Sequence, residues 1–144
     1  MSDYQDRRKR GDKILKQMGR DGLMLNQKEV CADLYDMSVG HLFGDVWARP
    51  HLSLRDRQLI TLAANIALAR TTGNHSHYHS ALHIGITQKQ IIELIIHVGH
   101  YAGWPTIGLA LRQLNKVLEV AAKEKGKKKK KKGLALAAAW EPTS

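Results

Sequence analysis

The stretch Leu59–Ala69, LITLAANIALA, decides the fold. Apart from Thr61 and Asn65 it is apolar, so a helix built from it is greasy nearly all round. Such a helix must be covered on most sides, which makes it the centre of a core. It is too short and too interrupted for a membrane span, which needs about 20 apolar residues. Upstream, Arg49-Pro50 forces an extended link, because proline disfavours helical geometry in the residue before it. Ser53 then restarts the chain as an N-cap, with Asp56 three residues later. Downstream, Gly73 marks a break before a short helix over Asn74–Ile84, and Gly85 is placed as a left-handed stop. Thr87 with Gln90 is a capping box that opens a helix running to about Tyr101. Gly103 and Pro105 separate it from a last helix, about Thr106–Lys123, with Ile107, Leu111, Leu114 and Leu118 along one face.

The N-terminal third gives weaker signals. Asp3–Met18 has few apolar residues beyond Ile14, Leu15 and Met18 and reads as a peripheral arm. Asn26 and Glu29 form a capping pair for a second helix carrying Val30, Leu34, Met37 and Leu42, which Gly40 and Gly44 bend or break before Trp47. No strand-like alternation runs for long. The expectation is an all-α chain of five or six helices, divided into an arm (1–22), a helical domain (23–122) and a tail (123–144).

Composition agrees with one globular domain: 144 residues, 43% hydrophobic and 25% charged, enough for a real core and against wholesale disorder. Cys31 stands alone, so there is no internal disulfide and no thiolate metal cage. That suits a reducing cytoplasm, and the opening MSDYQDRRKR lacks the apolar segment of a signal peptide. The formal net charge is +10, but residues 123–144 hold eight lysines and two glutamates, leaving +4 for the rest. The Lys127–Lys132 run reads as a solvated, disordered tail, since like charges at that density repel. Its attraction for nucleic acid or anionic lipid is non-specific, so neither nucleic acid nor membrane is expected as a partner.

Four of the eight histidines, His75, His77, His79 and His83, fall within nine positions. At about 100° per residue, His75, His79 and His83 follow one face beside Ser76 and Ser80. His77 points elsewhere, within about 20° of Ile84 and 40° of Ala81, on the packing side. The outer histidines lie about 12 Å apart along the axis, awkward for one metal, and no metal or other cofactor is expected. A second constellation, Glu93, His97, His100 and Trp104, forms a narrow polar stripe on an otherwise apolar helix. It is either the solvent edge of that helix or the lining of a cavity.

From Gly44 to Leu118 the chain resembles the carboxymuconolactone decarboxylase family. The resemblance is carried by WARPHLSLRDRQLITLA, by His77 eight residues before Gly85-Ile86-Thr87, by Glu93-Leu94-Ile95-Ile96-His97 and by the Tyr101-Ala102-Gly103-Trp104-Pro105 turn. It implies an alkylhydroperoxidase D-like helical fold, assembled as a homotrimer or homohexamer. The peroxidase branch of that fold needs C-x-x-C and a glutamate. Aligned on His77, those positions hold Arg70, Gly73 and Gln58, so the chain lacks the C-x-x-C site.

The decarboxylase branch needs no cofactor and acts on a small unsaturated lactone carboxylate of aromatic-compound breakdown. Anchoring carboxylates suits arginine, and moving a proton suits histidine. The resemblance therefore implies catalytic roles for His77, Glu93 and His97, and substrate binding by Arg49, Arg57, Gln58, His100 and Trp104. Arg57 equally suits an ion pair with Asp56. The alternative is a non-catalytic oligomeric protein binding a small ligand or a metal on the same scaffold, with a peroxidase-related protein lacking the C-x-x-C site ranked last.

Overall fold

The start and stop signals from Ser53 to Pro105 are realised in the computed structural model, which describes residues 3–21 and 25–139. The Ser53 hydroxyl accepts from the Asp56 backbone N–H at 3.0 Å. It starts helix α4, Leu54–Ala67. Helix α5 covers Asn74–His83. It closes through Gly85 N–H to the Leu82 carbonyl (3.2 Å) and Ile86 N–H to the Ala81 carbonyl (2.9 Å). Gly85 has φ +94°, the left-handed geometry this stop demands. Thr87 and Gln90 exchange both capping-box bonds at 3.0 and 3.2 Å and open α6, Gln88–Ala102. Pro105 then occupies the first position of α7, Pro105–Ala139. Leu62, Ile66, Tyr78, Ala81, Ile91, Ile95, Ala110 and Leu114 from these four helices fill one core. Truncating a fully buried member such as Leu62 costs about 2–5 kcal/mol. The far side of α4 stays open in the single chain, with Ile60 and Leu68 exposed.

The N-terminal half forms a second core. Helix α1 spans Asp3–Gln17, α2 Leu25–Val30 and α3 Ala32–Asp36. Cys31, with extended backbone, divides α2 from α3. Helix α3 runs directly into a π-helix over Met37–Val46. There Trp47 N–H reaches back five residues to the Leu42 carbonyl (2.9 Å). The wider turn changes which residues share a face. Tyr35, Val39, Phe43 and Trp47, four apart, are buried, whereas the expected face of Val30, Leu34, Met37 and Leu42 is exposed. Gly40 and Gly44 lie within the π-helix and do not end it. The Asn26 side chain lies outside the described residues.

Helix α1 packs backbone against backbone on the π-helix. A Cβ on Gly11 would overlap the Val39 carbonyl, and one on Gly44 the Arg7 carbonyl. Leu15 and Met18 are buried in the same core. Its edge is clamped by Asp45, which accepts from Arg7 Nε at 2.7 Å and Arg10 Nη2 at 3.1 Å. The Arg7 hydrogen bond is the main cause of an Asp45 pKa held down to about 2.

The last helix does not stop near Lys123. Alanine, leucine, glutamate and lysine are strong helix formers, and they carry α7 on to Ala139. From Ala122 to Leu134 every side chain is exposed. Among the described residues there is no strand. No helix there is long and apolar enough to cross a membrane.

Candidate functional site

The two cores meet along a seam that begins where α1 ends. Gly19, at φ +67°, closes α1 with Gly19 N–H to the Lys16 carbonyl (3.1 Å) and Arg20 N–H to the Leu15 carbonyl (2.9 Å). This double-bonded stop turns the chain back onto its own helix. It does so tightly: a Cβ on Gly19 would collide with the His83 ring. Arg20 is thereby driven inward to 8% exposure, its guanidinium 5.4 Å over the Phe43 ring centroid. Phe43 lies 6.0 Å from Trp47, and Trp47 stacks on His77 at 6.1 Å with 14° between the rings.

His77 is held from its other side by α4. Its Nδ1 lies 3.1 Å from Gln58 Oε1. An amide oxygen only accepts, so Nδ1 carries the proton and Nε2 keeps a lone pair. Burial, reinforced by the charges of Arg20 and His75, lowers the His77 pKa to about 4. At neutral pH the ring is uncharged. Three polar atoms in this seam are buried without a hydrogen-bond partner: Arg20 Nε, Arg20 Nη1 and Gln58 Nε2. No ion pair to Arg20 occurs among the described residues. A neutral imidazole with a free lone pair thus shares the seam with unpaired N–H groups and an unneutralised cation, the outfit of a site that holds an anion and moves a proton.

His77 and Gln58 are the two sequence-predicted site residues brought into contact here. Arg57 Nη2 donates to the Arg49 carbonyl at 2.9 Å, and Arg49 itself is exposed. Glu93, His97, His100 and Trp104 lie on an exposed surface of α6 and the turn after it. His97 packs on Tyr101 (5.3 Å), and His100 meets Trp104 edge-on (5.5 Å) while its Nδ1 donates to the Ile96 carbonyl (2.7 Å). No hydrogen bond, ion pair or ring contact among the described residues links this stripe to His77. On α5, His75, His79 and His83 are exposed, and the His79 and His83 rings stand 6.3 Å apart. Among the described residues no three metal-ligating side chains converge.

Arg20 and Phe43 escaped sequence reasoning. The missed signal was Gly19 directly after Ile14, Leu15 and Met18, since a glycine stop of this kind folds the next residue onto the helix. A separate surface cleft of about 370 Å³ involves Tyr4, Arg7, Asp36, Met37 and His41. Its charges are largely taken up internally, Arg7 by Asp45 and Asp36 by Arg8 (3.4 Å).

The chain belongs to the carboxymuconolactone decarboxylase family, whose profile matches residues 32–116. Over 77 residues it is 34% identical to a 4-carboxymuconolactone decarboxylase of Acinetobacter baylyi, covering 54% of this chain and 58% of that protein. Over 64 residues it is 33% identical to the nitrosuccinic acid decarboxylase npaB of Metarhizium robertsii, covering 44% and 45% respectively. The chain thus spans about half the length of the curated relatives it matches. Family membership fits the all-helical architecture, and the matched region contains Phe43, Trp47, Gln58 and His77 but not Arg20.

Proposed function

We propose that this protein is a cofactor-independent decarboxylase of a small, activated carboxylic acid, of the 4-carboxymuconolactone type, serving aromatic-compound breakdown in the cytoplasm. The observation that carries this reading is the half-buried, neutral His77, held through Nδ1 by Gln58, in the same seam as Arg20, two of whose buried nitrogens have no partner. The names of both relatives support it, since each acts on a small organic acid.

In such a reaction the bond from ring carbon to carboxylate breaks and CO₂ leaves. Its electron pair passes through the conjugated system to the lactone carbonyl, and the resulting dienolate takes a proton on carbon. His77 is the group to deliver that proton. At rest its Nε2 carries none, but an anionic ligand alongside favours the charged imidazolium, so binding raises the pKa and loads Nε2 from solvent. Gln58 fixes the ring through Nδ1, which leaves Nε2 aimed at the ligand. Glu93 and His97, with Arg49, Arg57, His100 and Trp104, join the reaction in this proposal only when copies assemble as a homotrimer or homohexamer. The exposed Ile60, Leu68, Ile96, Tyr101 and Trp104 are the surface such an assembly covers.

The test is CO₂ release from 4-carboxymuconolactone, related lactone acids and nitrosuccinic acid. Turnover should fall by about 10²- to 10⁴-fold in His77→Gln, the usual range for lost acid–base help, with the fold intact. Full activity in His77→Gln removes His77 from the mechanism. No CO₂ from any of these acids counts against the decarboxylase itself.

A further inference from the structure

The matched family region begins at residue 32, yet the strongest unneutralised charge of the seam comes from before it. Arg20 is more than nine-tenths buried and has two nitrogens without a partner. Its guanidinium lies over a ring face, that of Phe43, which neutralises no charge. Leaving a buried cation unpaired is costly, and natural cores avoid it unless something else supplies the opposite charge. Burial also lowers the Arg20 pKa, the signature of a charge held where it is not favoured. A second orphan donor of the seam, Gln58 Nε2, belongs to the amide that holds His77. Two sets of unpaired N–H donors, one of them on a cation, define a complementary group: a carboxylate.

We propose that Arg20 is an anion seat that takes a carboxylate of the ligand and presents the rest of the molecule to His77, so the preferred ligands are small acids with at least two carboxylates. One is held by Arg20 while the other is the group to be lost. Arg20 is then a specificity determinant contributed by the end of α1, outside the region that defines the family. This rests on the decarboxylase reading only for the second half; anion binding stands without it.

The experiment uses the full chain, succinate as the probe and dimethyl succinate as the uncharged control, in 0.15 M NaCl to screen the exposed lysines. Calorimetry should show succinate binding to the wild type and not dimethyl succinate. Arg20→Met should weaken succinate binding by tenfold or more, in line with a charge-assisted bond. Arg20→Lys should retain part of it. Without ligand, Arg20→Met should melt at a higher temperature than the wild type, because it removes an unpaired buried charge. Succinate should raise the wild-type Tm and leave that of Arg20→Met unchanged. Succinate affinity unaltered in both Arg20 variants overturns the proposal, as does a wild type that binds dimethyl succinate equally well. A lower Tm in Arg20→Met with unaltered binding in Arg20→Lys assigns Arg20 to packing on Phe43 and also overturns it. His77→Gln should keep succinate binding while losing turnover, so loss of the seat and loss of the decarboxylase reading register separately.

Discussion

Two histidine-bearing regions of this molecule have nearly the same sequence character and opposite environments. On α6, Glu93, His97 and His100 line a stripe at helical spacing and meet mainly their own helix, through Tyr101, Trp104 and the Ile96 carbonyl. On α5, His77 meets two other elements, the Trp47 ring and the Gln58 amide, and loses most of its hydration. Chemistry follows the second arrangement, because a shifted pKa and a fixed tautomer both require neighbours that do not move with the ring. Spacing along one helix creates a row; a site needs a second element to close on it.

The most drastic way to break the comparison is to disrupt the N-terminal core that carries Trp47 and Arg20. Gly44→Ala places a methyl group in the Arg7 carbonyl and must part α1 from the π-helix. The loss should be about 3 kcal/mol, seen as a drop of roughly 10 °C in thermal unfolding. Gly108→Ala is the control, since its methyl would meet only Arg112 Nη1 at an ordinary 3.6 Å. It should be neutral or stabilising.

Acid sharpens the comparison next. His77 has a folded pKa of about 4 against an ordinary 6.5. Between those values the unfolded chain binds the extra proton, so stability falls as pH drops from 6.5 to 4 and then levels off. The shift corresponds to about 3 kcal/mol. Denaturant titrations across this range should show that loss in the wild type and not in His77→Gln. Asp45 works at lower pH and in the same direction. Its pKa is depressed to about 2, so its contribution is complete above the ordinary 3.8 and disappears as pH falls through 2.

Smaller effects belong to the exposed regions. His97→Gln should change the stability of the chain by less than about 0.5 kcal/mol, as surface substitutions do. Truncation after Glu124 should leave the melting transition unchanged, because the lysine run packs on nothing and every side chain from Ala122 to Leu134 is exposed.

How much of this was legible in the sequence depended on whether a residue's neighbours were local. Ser53, Gly85 and the Thr87–Gln90 pair act within one turn, and each capping geometry was readable from spacing alone. The inward direction of His77 was readable from its offset against Ile84 and Ala81. The face of the π-helix was not, because a 3.6-residue period drifts out of register once the turn widens, as at Met37 and Leu42. That error hid Phe43 and Trp47 as neighbours, and with them the place where Arg20 comes to rest. The end of α7 was misjudged for a different reason. Charge repulsion argued for an unfolded tail, while the helix propensity of its residues carries the helix on.

The central claim is that His77 is a half-buried neutral imidazole, protonated on Nδ1 against Gln58, with Nε2 left to accept a proton. A nuclear magnetic resonance titration of the His77 ring, in the unliganded protein, tests it most directly. The account predicts the Nδ1–H tautomer at pH 7 and a midpoint near 4. A midpoint near the ordinary 6.5, or a ring protonated on Nε2 at pH 7, would contradict it.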